Sequence, residues 1–483
     1  MAYYLIQYDI TGIQSFIFST NKMKENIGAS ALVAFLFKEE LREIVKNAGG
    51  AWDWENESSF DTNKITKPKI VYIGGGNALV AFPDKESAKD ATSKLSKIIF
   101  EKTYNQLRLA VGTCEMSGSF QVDKDNLRKK LKECKKNYCI TQPLMGMGII
   151  RECDSDKLPA FRYIEGIYVS LPSYNKRKAC KNAQQIFCPK DEKNKFEIPL
   201  EFDDLTSDTA RNYIAVVHID GNSMGKKIDA AISEENDYSK AVESLRKISI
   251  KITNSYNDTL CELFAAVCEK LENKEFRDTI GAKKINDKDC IPMRRIVANG
   301  DDITFVCNAK IGISAAIHFL KELERRGYYA CAGVAIVKKA FPFYRAYELA
   351  EELCSSAKKK AKGIDENDPK SFIDFHIVTS GVMTDLEGIR KKQYEIGGKS
   401  LLSRPFAMDT ISCDLLCKIN SLNDKLPRNK KMALELALLT SQKEAEVALA
   451  EVKSRGHLDD VANYEQLIKY FDALEAMEFY EEI

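Results

Sequence analysis

An α+β fold is predicted, with two ferredoxin-like palm units and a helical C-terminal domain. Three observations predict it. Strand-like and helix-like stretches follow the order β-α-β-β-α-β near the N-terminus. A similar order returns after residue 207, and beyond residue 386 apolar residues recur at helical spacing. In both copies an Asp that ends a strand precedes a glycine-containing hairpin at comparable distance, 65 residues (74 − 9) in the first and 79 (299 − 220) in the second. Two weakly similar copies of one supersecondary unit form an internal repeat.

The first copy is assigned to residues 1–120 and is the degenerate one. Leu5, Ile6 and Tyr8 lead into Asp9, and a helix is expected over Asn26–Val45. Val71-Tyr72-Ile73 and Ala78-Leu79-Val80 flank Gly74-Gly75-Gly76-Asn77, a tight hairpin, because glycine reaches positive φ without strain. A helix at Lys85–Thr103 and a strand at Leu107–Thr113 complete it. Residues 121–206, rich in Cys and Lys, are expected to be an irregular connector with short helices.

The second copy, residues 207–385, opens with the apolar strand Tyr213–Ile219, which ends at Asp220. A helix over Tyr238–Glu272 follows, and then Arg295–Ala298 and Ile303–Cys307 flank Asn299-Gly300-Asp301-Asp302. Helix Ile311–Arg326, strand Tyr329–Val337, helix Phe343–Lys362 and strand Phe372–Val378 close the unit. Residues 386–483 form the C-terminal helical domain, with apolar periodicity over Leu434–Leu449 and Tyr464–Met477.

The 483 residues carry 72 Lys+Arg and 71 Asp+Glu, a net charge of +1, which argues against a protein that coats nucleic acid by bulk electrostatics. No apolar run approaches 18 residues, so no membrane span is expected. The opening MAYYLIQYDI lacks a basic stretch and meets Asp9 early, unlike a secretion signal. Fourteen scattered cysteines are then read as reduced thiols of a cytoplasmic protein, with Cys261, Cys268 and Cys307 as core.

The chemistry is expected at Asp220, Asp301 and Asp302. In a palm the first strand lies beside the hairpin, so these carboxylates would converge and repel one another unless cations sit between them. Two Mg²⁺ or Mn²⁺ ions fit such hard oxygen donors and suit phosphoryl transfer. Gly221, Asn222, Ser223 and Gly225, in HIDGNSMGKK, would form a loop whose N–H groups face phosphate, while Asn299 and Gly300 let a triphosphate approach the hairpin. Lys358, in AYELAEELCSSAKKKAK, is the candidate cation for that triphosphate.

These motifs resemble the large polymerase-cyclase subunit of type III CRISPR effector complexes, in a short form without the HD nuclease domain. YDITGIQSFIF with KENIGASALV resembles the opening of its first palm, HIDGNSMGKK its DGDxMG segment, ANGDDITFV its GGDD strand pair, and LLSRPFAM its RPF/RPY segment. The resemblance implies a nucleotidyltransferase that converts ATP into cyclic oligoadenylate through 3′–5′ linkages, releasing pyrophosphate, in antiviral defence. It implies metal binding by Asp220, the Gly221 carbonyl, Asp301 and Asp302, and phosphate binding by Lys358.

Departures from the family pattern are Asn299 for the first hairpin glycine, Asn222 for the second Asp of DGDxMG, and a first-palm hairpin without carboxylates. His218, His318, His376 and His457 form no HD pair. Where the family tends to carry a zinc knuckle, Cys153 is followed by Asp156 and Cys180 by Cys188, so zinc is not expected. Two other readings stay open: a non-catalytic nucleotide- or RNA-binding scaffold, and a nuclease using the same aspartates. The expected partners are a nucleoside triphosphate together with RNA-guided effector subunits, a small partner or a second copy of the chain. Base preference, product ring size and the activating signal are not readable.

Overall fold

From Ile6 to Thr11 the first strand alternates buried and half-buried side chains, so one face lies against a core. In a computed structural model the described residues are 3–56, 60–61, 65–137, 148–183, 195–207, 212–363, 369–379, 385–458 and 461–483. The chain begins with β1 (Tyr4–Thr11), α1 (Ile13–Ile17), α2 (Met23–Phe35) and α3 (Arg42–Asn47). The hairpin β2 (Lys69–Gly74) and β3 (Asn77–Phe82) follows, then α4 (Lys85–Thr103), β4 (Arg108–Glu115) and α5 (Phe120–Lys136). A second hairpin, β5 (Ala160–Ile164) and β6 (Ile167–Ser170), leads into α6 (Leu171–Ala183).

Next come β7 (Tyr213–Gly221), α7 (Met224–Ser233), α8 (Tyr238–Lys270), α9 (Lys274–Ile280) and the short strands β8 (Lys284–Ile285) and β9 (Lys288–Asp289). Then follow β10 (Met293–Asn299), β11 (Asp302–Asn308), α10 (Gly312–Arg325), β12 (Ala330–Lys338), α11 (Phe343–Lys362) and β13 (Phe372–Ile377). The remainder holds α12 (Leu386–Tyr394), β14 (Glu395–Ile396), β15 (Lys399–Ser400), β16 (Phe406–Ala407) and α13 (Cys417–Lys425). It ends with α14 (Arg428–Thr440), α15 (Gln442–Lys453), α16 (Tyr464–Ile468) and α17 (Phe471–Ala476).

Two compact units result. The first comprises Met1–Cys188, Ser223–Asp258 and Arg295–Ile303, and the second comprises Pro189–Asn222, Thr259–Arg294 and Thr304–Ile483. In the first, the strand order is β2-β3-β1-β4. β1 runs antiparallel to both neighbours, with Asp9 opposite Asn77 and Ala110. Gly75 and Gly76 take φ of 41° and 80°, as the expected tight hairpin requires.

The described residues within 121–206 hold more regular structure than expected. They open within the 17-residue α5, whose buried Leu127 and Leu131 pack on β4. Gly112 of β4 makes room for it, because a Cβ there would lie 2.9 Å from the Leu127 carbonyl oxygen. The many lysines of α5 hide this apolar stripe from a composition-based reading. α6 lies on α2 with almost touching backbones, since a Cβ on Gly28 would fall 1.7 Å from the Lys176 carbonyl oxygen. The knuckle-like positions make hydrogen bonds: Cys153 Sγ is 3.3 Å from Ser155 Oγ, and the Ser170 hydroxyl donates to Asp156. Cys180 is buried, and Cys188 lies outside the described residues.

A six-stranded sheet has the order β10-β11-β7-β12-β13-β16. It repeats the order of the first sheet (hairpin, first strand, last strand) and extends it by two strands. β7 is antiparallel to β12, and β12 is parallel to β13. His218 Nδ1 on β7 and Thr304 Oγ1 on β11 lie 3.1 Å apart across neighbouring strands.

The region beyond residue 386 is not purely helical, because β16 pairs with β13. Each expected C-terminal helix is also two. Ser441, with an extended φ of −168°, separates α14 from α15 and accepts from the Glu444 N–H, while α16 ends at Ile468 before α17 begins at Phe471. Cys268 and Cys307 are buried as expected, but Cys261 is exposed, on the outer face of α8.

Candidate functional site

β7 ends in Asp220 and Gly221, and Asp220 sits opposite Cys331 of β12. Across the strand end lies Lys358 of α11, whose Nζ donates to Asp220 Oδ2 and to the Gly221 carbonyl, the latter at 3.2 Å. Helix α11 is seated closely on β12 because a Cβ on Gly333 would fall 2.0 Å from the Ala350 carbonyl oxygen. One helical turn before Lys358, the Cys354 thiol donates to the Cys331 carbonyl at 3.2 Å. Cys331, Cys354, Ala357 and Phe372 form the apolar wall behind the pair.

The electrostatics follow from this wall. Burial disfavours the Lys358 ammonium, but the Asp220 carboxylate more than offsets it, and the lysine pKa is raised. Burial holds Cys354 well above the usual thiol range and pushes Cys331 to about 11, so neither offers a thiolate. His218 is driven down to about 4, first by burial and with Lys358 also lowering it, and is therefore neutral.

Asn222 donates its backbone N–H to Tyr329 at 2.9 Å and its side-chain amide to the Lys370 carbonyl at 3.2 Å. An aspartate could not make the second bond. The asparagine that departs from the family pattern thus acts here as a brace on β12 and β13.

The other candidates belong to the first unit. Ser223 takes a left-handed φ of 58° before α7, an uncommon conformation for a residue with a side chain. Gly225 lies in the first turn of α7, where a Cβ would meet nothing within 4 Å. The loop expected from Gly221 to Gly225 is accordingly short, with a helix beginning at Met224. Asn299 closes β10 without positive φ, and Gly300 supplies the left-handed position at 66°. Asp301 and Asp302 are half-buried at the tip of this hairpin.

Two residues of the first unit, Tyr72 and Lys135, are not among the candidates the sequence motifs mark. Tyr72 donates to Asn77 Oδ1 at 2.5 Å, and its pKa is pushed up to about 12, mainly by burial and then by the charges of Asp301 and Asp9. Lys135 Nζ donates to Asp9 Oδ2 at 2.9 Å. This pair repeats that of Lys358 and Asp220, and each lysine lies fifteen positions after the phenylalanine that opens its helix (135 − 120 and 358 − 343). That equal offset, with a strand-end Asp in each copy, is the sequence signal that finds Lys135.

Among the described residues, no group of three or more His, Cys, Asp or Glu side chains is gathered as a metal site. Asp220 and the Gly221 carbonyl are nevertheless hard oxygen donors that already share one cation, the Lys358 ammonium. Such a donor set fits Mg²⁺ or Mn²⁺. The basic run at the start of α14 is engaged within the chain: Arg428 pairs with Glu478, Lys430 with Glu451, and Lys431 donates to Asn423. No described helix is long and apolar enough to cross a membrane.

No family model matches the chain, and neither does any curated protein. Its fold does match chains of solved structures. A Csm1–Csm4 cassette in complex with one ATP aligns with a TM-score of 0.57 at 14% identity, over 99% of this chain and 70% of that one. The Csm1–Csm4 subcomplex in the type III-A CRISPR-Csm interference complex aligns at 0.57 and 16%, over 99% and 69%. A Csm1–Csm4 cassette in complex with cA3 aligns at 0.55 and 14%, over 99% and 70%. In fold the chain resembles a Csm1-like subunit, in keeping with its motifs.

Proposed function

We propose that the chain is a metal-dependent nucleotidyl cyclase of a CRISPR-type or related anti-phage effector, joining ATP into cyclic oligoadenylate through 3′–5′ linkages with release of pyrophosphate. The observation that carries this reading is the cation-bound pair of Asp220 and the Gly221 carbonyl at the end of β7, with β11, which opens at Asp302, as the next strand. The recurring strand order supports two palm units, of which the second holds the chemistry. Cassettes of similar fold have been crystallised with ATP, with cA3 and with pppApA, which supports an adenine nucleotide as substrate.

In this reading Asp220, the Gly221 carbonyl, Asp301 and Asp302 hold two Mg²⁺ or Mn²⁺ ions. When bound, these ions neutralise triphosphate charge and lower the pKa of the attacking hydroxyl. Lys358 hands its ammonium from Asp220 to the triphosphate. Gly225 leaves the N-terminal N–H groups of α7 open to phosphate, and Gly300 keeps the hairpin free of side chain where nucleotide approaches. The first palm, with Asp9 held by Lys135 and with Asn77 in place of a carboxylate, holds no metal pair in this reading.

The test is mass spectrometry of products from mixed nucleoside triphosphates with Mg²⁺ or Mn²⁺. A cyclic adenylate is expected from the wild type and none from D301N/D302N, whose fold is checked by circular dichroism. Wild-type turnover by the double variant would refute the site. The second reading is a nucleotide- or RNA-binding scaffold without turnover, favoured by the lack of a gathered metal-ligand cluster among the described residues. Nucleotide binding with no product under any condition, with or without partner subunits, would select it.

A further inference from the structure

The hairpin β5–β6 forms a two-stranded sheet by itself, turned by Glu165 and Gly166 at positive φ of 54° and 83°. Single exposed aromatic residues are ordinary, but here they are gathered. Tyr163 pairs across the strands with Tyr168, ring centroids 4.8 Å apart, and Arg151 lies 4.8 Å over the Tyr168 ring. A bulge between Ala160 and Arg162 takes Phe161 out of the ladder. Arg162 then covers both Phe161 and Tyr174 of α6, at 5.1 Å from each ring. Phe161 is 48% exposed and Tyr163 63%.

Charge follows the rings. From Lys157 to Ala183 the sequence has six Lys/Arg and one acid, Glu165, in a chain whose net charge is only +1. Arg177 is tied to the buried Glu25, and Lys176 is buried. Lys157, Arg162, Lys178 and Lys181 remain exposed, as does Arg151. The other nearby acids are Glu152, Asp154 and Asp156; Asp154 accepts the Tyr168 N–H at 2.9 Å and Asp156 accepts the Ser170 hydroxyl.

We infer that this hairpin binds a single-stranded polynucleotide. Ring faces capped by guanidinium groups match unpaired bases beside phosphates, since any base can stack on an aromatic face and each phosphate attracts arginine. A duplex hides its base faces from such rings. An aliphatic docking surface would offer Leu, Ile or Met at its centre, whereas the centre here is aromatic and cationic. The site uses none of the residues assigned to the cyclase chemistry, and it rests on that reading only in adding a polynucleotide contact to the proposed cyclase.

The test is fluorescence anisotropy with labelled 20-mers of single-stranded RNA, single-stranded DNA and duplex, over a series of salt concentrations. The single strands should bind wild-type protein more tightly than the duplex, and the RNA and DNA arms show which is preferred. F161A/Y163A should weaken binding at least about ten-fold. R151A/R162A should flatten the salt dependence by about one to two units of slope. Y163L, which retains apolar bulk, should lose affinity as well, whereas E165K should gain it. Full binding by Y163L would overturn the inference, as would equal affinity for duplex or no single-strand binding by wild type. ATP turnover measured in parallel should stay at the wild-type level in Y163L, so failure of this inference is separable from failure of the cyclase reading.

Discussion

Lys358 has two obligations that cannot be met together. Its ammonium holds Asp220 and the Gly221 carbonyl, which are the groups proposed for metal, and it is also the cation proposed for triphosphate. Side-chain exposures of 24% for Lys358 and 39% for Asp220 mean that solvent screens the pair, which is worth about 1 kcal/mol or less. A divalent ion can therefore displace it, and the released ammonium finds a new partner in phosphate. Lys358→Met is expected to bind Mn²⁺ without nucleotide about ten-fold more tightly than wild type, read by the loss of free Mn²⁺ signal in electron paramagnetic resonance. The same variant should lose about 100-fold in ATP turnover. Lys359→Met, on the exposed side of the same helix, controls for net charge and should change neither. Equal Mn²⁺ affinity in K358M and wild type would show that the ammonium does not compete with metal.

At the scale of elements, the position of Lys358 depends on a glycine that sequence patterns pass over. Gly333 lies mid-strand in β12, where glycine is ordinarily a weakness. A Cβ there would meet the Ala350 carbonyl oxygen at 2.0 Å and the Cys354 amide at 2.4 Å, so α11 must move if one is added. Gly333→Ala should cost about 1–3 kcal/mol, measured as a lower urea midpoint, and should reduce turnover because α11 carries Lys358. An unchanged midpoint with unchanged turnover would mean that the helix is not set by this approach. The same scale shows what could be read from sequence. The strand ending in Asp220, the hairpin at Asn299–Asp302 and α11 were legible because each carries a local pattern: an apolar run, a turn glycine or an amphipathic repeat. α5 was not, because its lysines outweigh a stripe of few apolar residues. The breaks at Ser441 and after Ile468 were not, because tertiary packing overrides periodicity there. The lysine grip on Asp220 and Asp9 was equally hidden, since it joins residues more than a hundred positions apart.

For the molecule as a whole, pH dependence is governed by buried groups of opposing sign rather than by the net charge of +1. His218 and His376 are both driven down to about 4, first by burial, so they withdraw stability as pH falls from 6.5 toward 4. Asp472, beside the fully buried Arg404, acts in the other sense: burial raises it to about 6 against the pull of Arg404. Glu435 of α14 does the same without an opposing cation among its causes, raised to about 7 by burial and then by the charges of Glu475 and Glu478. A carboxyl raised in the folded state gives stability that is full below its unfolded pKa, near 4.5, and lost as pH rises through about 7. Because these contributions oppose one another in the wild-type curve, a difference between variants is needed to read Glu435 alone. Glu435→Gln keeps the shape and removes the charge. It should be more stable than wild type at pH 8, by about 1–3 kcal/mol after allowance for solvent screening, and equal to it at pH 4. Urea denaturation of both proteins at the two pH values measures this. Equal stability at pH 8 would place the Glu435 charge in water rather than against Glu475 and Glu478.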